Sequence, residues 1–129
     1  MSQKHALIID DNALNVSVLA NLLADESVDN TQVTNPNQLD KVTEAFDKFD
    51  VVFLDLEMPG LNGYEVLKKL RADRAFEDVP IVAYTVHVSE INTASKLGFD
   101  SFLGKPINPD KFSDQLARIF RGERVWEIY

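Results

Sequence analysis

An α/β fold is what this sequence predicts: a doubly wound, five-stranded parallel sheet with helices on both faces. Three observations carry it. Short apolar runs alternate with helical patterns about five times along the chain, which is the α/β signature. The runs are continuous rather than alternating in polarity, as in parallel strands covered on both sides. Four of them stop on a residue equipped for chemistry: "LIIDD" and "VVFLD" on aspartate, "PIVAYT" on a hydroxyl, "SFLGK" on a lysine.

The elements follow in order. Ala6 to Ile9 is the first strand. Residues 13–25 carry Leu14, Val18, Leu19, Leu22 and Leu23 at helical spacing. The stretch from Thr31 to Thr34 is short and polar, which suits an edge strand. Asn35 and Pro36 read as an N-cap and first helical residue, opening a helix to about Lys48. Val51 to Leu54 is the next strand. Gly63 then leads into "YEVLKKLRAD", with Val66, Leu67 and Leu70 on one side. Ile81 to Tyr84 follows, then a helix over 90–97, with Ser89 as its cap and Gly98 as its stop. Ser101 to Leu103 is the fifth strand. Asn108 and Pro109 repeat the cap-then-proline signal before Phe112, Leu116, Ile119 and Phe120. In such sheets ligands bind beyond the carboxyl ends of the strands. All four polar run-ends collect at that rim.

Composition narrows the function. The chain has 129 residues, enough for one domain with a real core. Thirteen basic and 21 acidic residues give a net charge of −8, which argues against broad binding to nucleic acid or anionic membrane. Absence of cysteine excludes disulfides and thiolate metal sites. No stretch approaches the roughly 20 apolar residues of a membrane span, and "MSQKHALIID" is not a signal peptide. A cytoplasmic protein is the expectation. His5 is expected to be a plain exposed residue near the N-terminus.

Asp10–Asp11, Asp55 with "MPGLNG" after it, Thr85, and Lys105–Pro106 together resemble the receiver domain of two-component response regulators. The resemblance covers roughly residues 5–121. It implies the flavodoxin-like strand order 2-1-3-4-5 and a receiver domain over 1–122 with a C-terminal tail over 123–129. The chain reads as a stand-alone receiver that acts through contact. It is not an enzyme beyond its own phosphorylation and dephosphorylation.

The chemistry of the residues agrees. Three carboxylates at one rim repel one another, and a hard divalent cation relieves this. Magnesium prefers oxygen ligands. Asp10 or Asp11, Asp55 and a backbone carbonyl supply them, the carbonyl being that of Glu57 by resemblance. Asp55 is the candidate nucleophile that takes a phosphoryl group. Lys105 adds a fixed cation, and by resemblance its bond to Pro106 is cis. Thr85 offers its hydroxyl to a phosphoryl oxygen. By resemblance Phe102, three residues before the lysine, is the aromatic that moves inward with that hydroxyl. Glu57 and His87 occupy positions that tune hydrolysis in relatives, although His87 also reads as a surface histidine. Val86 departs from the pattern, which has a very small residue there. A β-branched side chain narrows the entrance and predicts slower exchange with small donors or slower hydrolysis. If the carboxylates are crowded, Asp55→Ala or Asp10→Ala raises the unfolding midpoint in metal-free buffer.

The expected partner is a histidine kinase or a histidine-phosphotransfer protein, since "DDNALN" resembles receivers that trade with phosphotransfer domains. The oligomeric expectation is a monomer or weak dimer. The tail "GERVWEIY" folds back, self-associates or binds a partner. Two other readings compete. A degenerate receiver acting as a phosphorylation-independent interaction module is kept open by Val86. A small Asp-nucleophile phosphohydrolase is disfavoured, because Glu57 replaces the second aspartate of that family's motif.

Overall fold

A computed structural model describes residues 3–35, 38–45, 48–58 and 61–127, with the side chains of residues 43, 45, 57 and 61 left aside. The expected helix start at Pro36, the "PG" of the Asp55 loop and the last two tail residues lie outside this range. The elements run β1 (His5–Ile9), α1 (Ala13–Asp25), β2 (Asp29–Val33), α2 (Leu39–Ala45), β3 (Val51–Asp55), α3 (Gly63–Arg71), β4 (Ile81–Thr85), α4 (Ile91–Leu97), β5 (Ser101–Gly104), α5 (Pro109–Phe120) and β6 (Trp126–Glu127). A small antiparallel ribbon pairs Glu57–Met58 with Leu61–Asn62 between β3 and α3.

The strands form one parallel sheet in the order 2-1-3-4-5-6. The expected order holds for the first five. The sixth strand corrects the expected count. After α5, Gly122 adopts a φ of +85°, and the chain turns back along β5. Phe102 N donates to Val125 O at 2.7 Å, and Val125 N donates to Ser101 Oγ at 2.9 Å. Glu127 then accepts from Gln115 Nε2 at 2.9 Å and from Arg118 at 2.7 Å, which ties β6 to α5.

Two apolar layers sandwich the sheet. On one face Val16, Leu19 and Leu23 of α1 meet Phe112, Leu116 and Ile119 of α5, over Ala6, Ile8, Phe53, Val82 and Tyr84. On the other, Val66, Leu67 and Leu70 of α3, Leu39 of α2 and Ala94 of α4 cover Leu7, Ile9, Leu54, Ala83 and Phe102. Alternate residues of β1, β3 and β4 feed opposite layers, as strand geometry requires. Each buried aliphatic or aromatic side chain stabilises by about 1.5–3 kcal/mol.

Local signals set the helices. Asn12, Asn62 and Asn108 each cap a helix by accepting a backbone N–H, at Asn15, Tyr64 and Asp110. Gly98, at φ +107°, ends α4 as expected. Ser89 is not its cap. It sits inside a 3-10 turn, Val88–Glu90, that precedes α4. In α1 the core stripe is Val16, Leu19 and Leu23, while Leu14 is 73% and Val18 43% exposed. Those two residues share the helical spacing of the core set but lie on the outer face. His5 is also corrected. It is half-buried in β1, its Nε2 lies 2.6 Å from Thr31 Oγ1, and its ring meets Phe49 edge-on at 5.2 Å.

Candidate functional site

The carboxyl ends of β1, β3, β4 and β5 bring Asp10, Asp11, Asp55, Thr85 and Lys105 to one rim. Register explains the convergence. Asp55 lies opposite Tyr84, and Thr85 opposite Gly104, one residue before the lysine. Thr85 accepts Lys105 N on its backbone oxygen at 2.9 Å, which fixes where β5 leaves the sheet. The Lys105–Pro106 peptide is cis.

The loop after Asp55 closes tightly. A Cβ on Gly63 would lie 2.7 Å from Leu56 Cα and 2.8 Å from Asp55 O. Only glycine lets α3 begin so close to the end of β3. The start of α3 therefore helps to set the Asp55 backbone.

Asp10 is the most enclosed of the carboxylates, at 0% exposure. Its Oδ1 accepts Asn12 N at 2.9 Å. Its Oδ2 accepts Lys105 Nζ at 2.9 Å and the Tyr84 hydroxyl at 2.8 Å. A carboxylate has about four acceptor positions, so Asp10 is largely committed inside the protein. Lys105 Nζ also lies 3.4 Å from Asp55 Oδ1. The ammonium thus stands between the two aspartates, nearer Asp10. The crowding argued from sequence is offset by this cation.

Asp11 is exposed beside them. Asp10, Asp11 and Asp55 each offer a carboxylate oxygen, all within 4.8 Å of one another. An all-oxygen set of this kind fits a hard divalent cation. Glu57 begins the small ribbon two residues beyond Asp55, which puts its backbone next to the rim. Thr85 is buried, and its Oγ1 accepts His87 N at 3.1 Å. The His87 side chain is exposed. Val86 is 62% exposed just beyond Thr85. Phe102 is fully buried two residues before Gly104, on the same sheet face as Ala83.

Tyr84 is the member of this group with no role in the sequence reading. It is buried, packs edge-to-face on Phe53 at 6.2 Å, and holds Lys105 Nζ 4.3 Å from its ring centroid. Burial first, and the Asp10 carboxylate second, push its phenol far above the usual range, so the hydroxyl is a donor. A signal existed. Tyrosine inside an otherwise apolar run must find a partner for its hydroxyl, and the nearest strand end carries aspartate.

Residues 6–117 match the family model described as the response regulator receiver domain. The chain belongs to that family. Among curated relatives of this receiver, stress response regulator protein 1 of Lodderomyces elongisporus is 32% identical over 112 residues, 84% of this chain and 31% of that protein. Chemotaxis protein CheY-3 of Vibrio cholerae is 29% identical over 116 residues, 88% of this chain and 89% of that one. The receiver spans less than half the length of the first curated relatives it matches. Among solved structures, a CheY-like receiver domain from Methylobacillus flagellatus aligns with a TM-score of 0.80 at 26% identity, covering 92% of this chain and 99% of that one. The receiver domain of a Pseudomonas aeruginosa sensor histidine kinase, solved with magnesium in its active-site cleft, aligns at 0.81 with 24% identity, covering 93% and 99%. No helix among the described residues of this receiver is long and apolar enough to cross a membrane.

Proposed function

We infer that this chain is a phosphoacceptor receiver of a two-component or phosphorelay system, taking its phosphoryl group on Asp55. The observation that carries the reading is the position of Lys105 Nζ, 2.9 Å from Asp10 and 3.4 Å from Asp55, among three converging carboxylates.

The residues divide the work. An Asp55 carboxylate oxygen attacks the phosphorus of a phosphohistidine. The P–N bond breaks, its electron pair stays on the imidazole nitrogen, and an acyl phosphate forms on Asp55. Lys105 meets the charge on a phosphoryl oxygen. Thr85 donates its hydroxyl to another, and Phe102 packs behind it. Asp11, Asp55, the Glu57 carbonyl and what remains of Asp10 would hold Mg2+. When bound, the ion supplies neutralisation of charge on the transferring group. Val86 stands at the entrance, where it limits small donors, and His87 lies beside it at the surface.

The donor in this reading is a histidine kinase or a histidine-phosphotransfer protein, and the output is a change of protein contacts by a monomer or weak dimer in the cytoplasm. The protein turns over no free phosphate ester. The test is intact mass after incubation with a small acyl-phosphate donor, with and without Mg2+, on wild type and Asp55→Ala. One phosphoryl gain that needs both Mg2+ and Asp55 is the expected result. Labelling that survives Asp55→Ala would overturn it. Absence of labelling even by a phosphohistidine partner would favour the interaction-module reading.

A further inference from the structure

We propose that Tyr84 is a positioning residue for phosphoryl transfer: its hydroxyl holds Asp10 while its ring carries the Lys105 ammonium, which frees Lys105 to turn toward the phosphoryl group on Asp55. The inference rests on the phosphoacceptor reading above and extends it to a residue outside the metal and acceptor set.

The geometry makes the argument. Asp10 Oδ2 has two donors, Lys105 Nζ at 2.9 Å and Tyr84 OH at 2.8 Å. A phosphoryl group on Asp55, from which Lys105 now stands 3.4 Å away, brings further anionic oxygens that compete with Asp10 for the same ammonium. When it turns, a carboxylate with 0% exposure loses a charged partner. Removing one partner of a buried pair is strongly unfavourable unless other donors remain. Tyr84 is that remaining donor on the same oxygen.

The ring has a separate task. Lys105 Nζ lies 4.3 Å from its centroid, within cation–π range. The ring thus gives the enclosed ammonium an attraction that comes from neither carboxylate. The platform itself is held by the core. Tyr84 lies in the middle of three paired strands, opposite Asp55 on β3 and Leu103 on β5, with Phe53 edge-on to its ring. A tyrosine so fixed presents both functions at one geometry.

The experiment compares wild type, Tyr84→Phe and Tyr84→Leu at saturating Mg2+ with a small acyl-phosphate donor. Tyr84→Phe keeps the ring and loses the hydroxyl. Its maximal rate of Asp55 labelling should fall about tenfold or more, with the donor half-saturation unchanged. Tyr84→Leu loses both functions and should be slower still. The ring is read independently by NMR: the Lys105 Cε protons should be shifted upfield in wild type and Tyr84→Phe, and return to ordinary values in Tyr84→Leu. Labelling of Tyr84→Phe within twofold of wild type would overturn the proposal. So would unshifted Lys105 protons in wild type, a measurement that needs no variant to fold. A wild type with no Mg2+-dependent label on Asp55, from the small donor or from a phosphohistidine partner, would instead remove the phosphoacceptor reading, and the proposal with it.

Discussion

Trp126 lies stacked on Phe102, with ring centroids 6.4 Å apart and planes within 19° of parallel. The tail is thus laid against the aromatic that the family resemblance assigns to switching. Truncation by Trp126→Ala removes a half-buried indole and should cost about 1–3 kcal/mol, read as a lower urea midpoint. Trp126 is the sole tryptophan, so its emission reports this contact directly. Emission should change when Asp55 is phosphorylated. A spectrum that ignores phosphorylation would mean that Phe102 stays put or that β6 does not sense it.

Acid should loosen the same strand. Hydrogen bonds from Gln115 and then Arg118 hold the Glu127 carboxyl below its ordinary range. A folded-state pKa below the unfolded one contributes stability above the unfolded value, near 4.3, and that contribution is lost as pH falls through the folded value. Between neutrality and about pH 5 the β6 contact should therefore be constant, weakening only below about 4.3. Solvent screening keeps the effect modest. Titrating Trp126 emission in wild type and Glu127→Gln checks it; an unchanged acid transition in the variant would assign it elsewhere.

At Asp10 the expectation drawn from crowded carboxylates reverses. Asp10→Ala takes the nearer of two carboxylates from Lys105, which keeps Asp55, and removes the acceptor of the buried Tyr84 hydroxyl. In metal-free buffer it should lower stability by roughly 1–3 kcal/mol. A higher midpoint in this variant would restore the repulsion argument.

Gly63→Ala should damage the site from behind. The added methyl meets backbone atoms of Leu56 and Asp55 at under 3 Å, so either α3 or the end of β3 must move. A loss of about 1–3 kcal/mol and slower labelling of Asp55 are expected together. Full labelling at wild-type rate would show that α3 yields alone.

At the entrance, Val86→Ala should speed labelling by small donors and shorten the acyl-phosphate lifetime. Equal rates and lifetimes in the two proteins would remove Val86 as a gate.

The rim was legible because burial and polarity conflict there. Asp55, Thr85 and Lys105 each end an apolar run, and a charged or polar residue at that point has to leave the core at the strand's carboxyl end. Tyr84 was hidden by the same logic, since it sits one residue inside the run and counts as core. Trp126–Glu127 was hidden by its length: two residues have no period, and what makes them a strand is a turn at Gly122 and contacts with Ser101, Gln115 and Arg118. Leu14 and Val18 left α1 ambiguous, because its apolar set is wider than one core-facing stripe needs and spacing alone does not say which edge meets the sheet.

Strand β4 ends on two consecutive residues that serve different halves of the molecule. Tyr84 belongs to the layer of α1 and α5, whereas Thr85 points to the opposite face, as do Ala83 and its partner Phe102 in the layer of α3 and α4. A single peptide link joins them. On the proposed roles, substitutions in one layer would alter how fast the acceptor reacts, while substitutions in the other would alter what the reaction is heard by. Timing and audience would then be separable traits, open to independent adjustment by selection or by design.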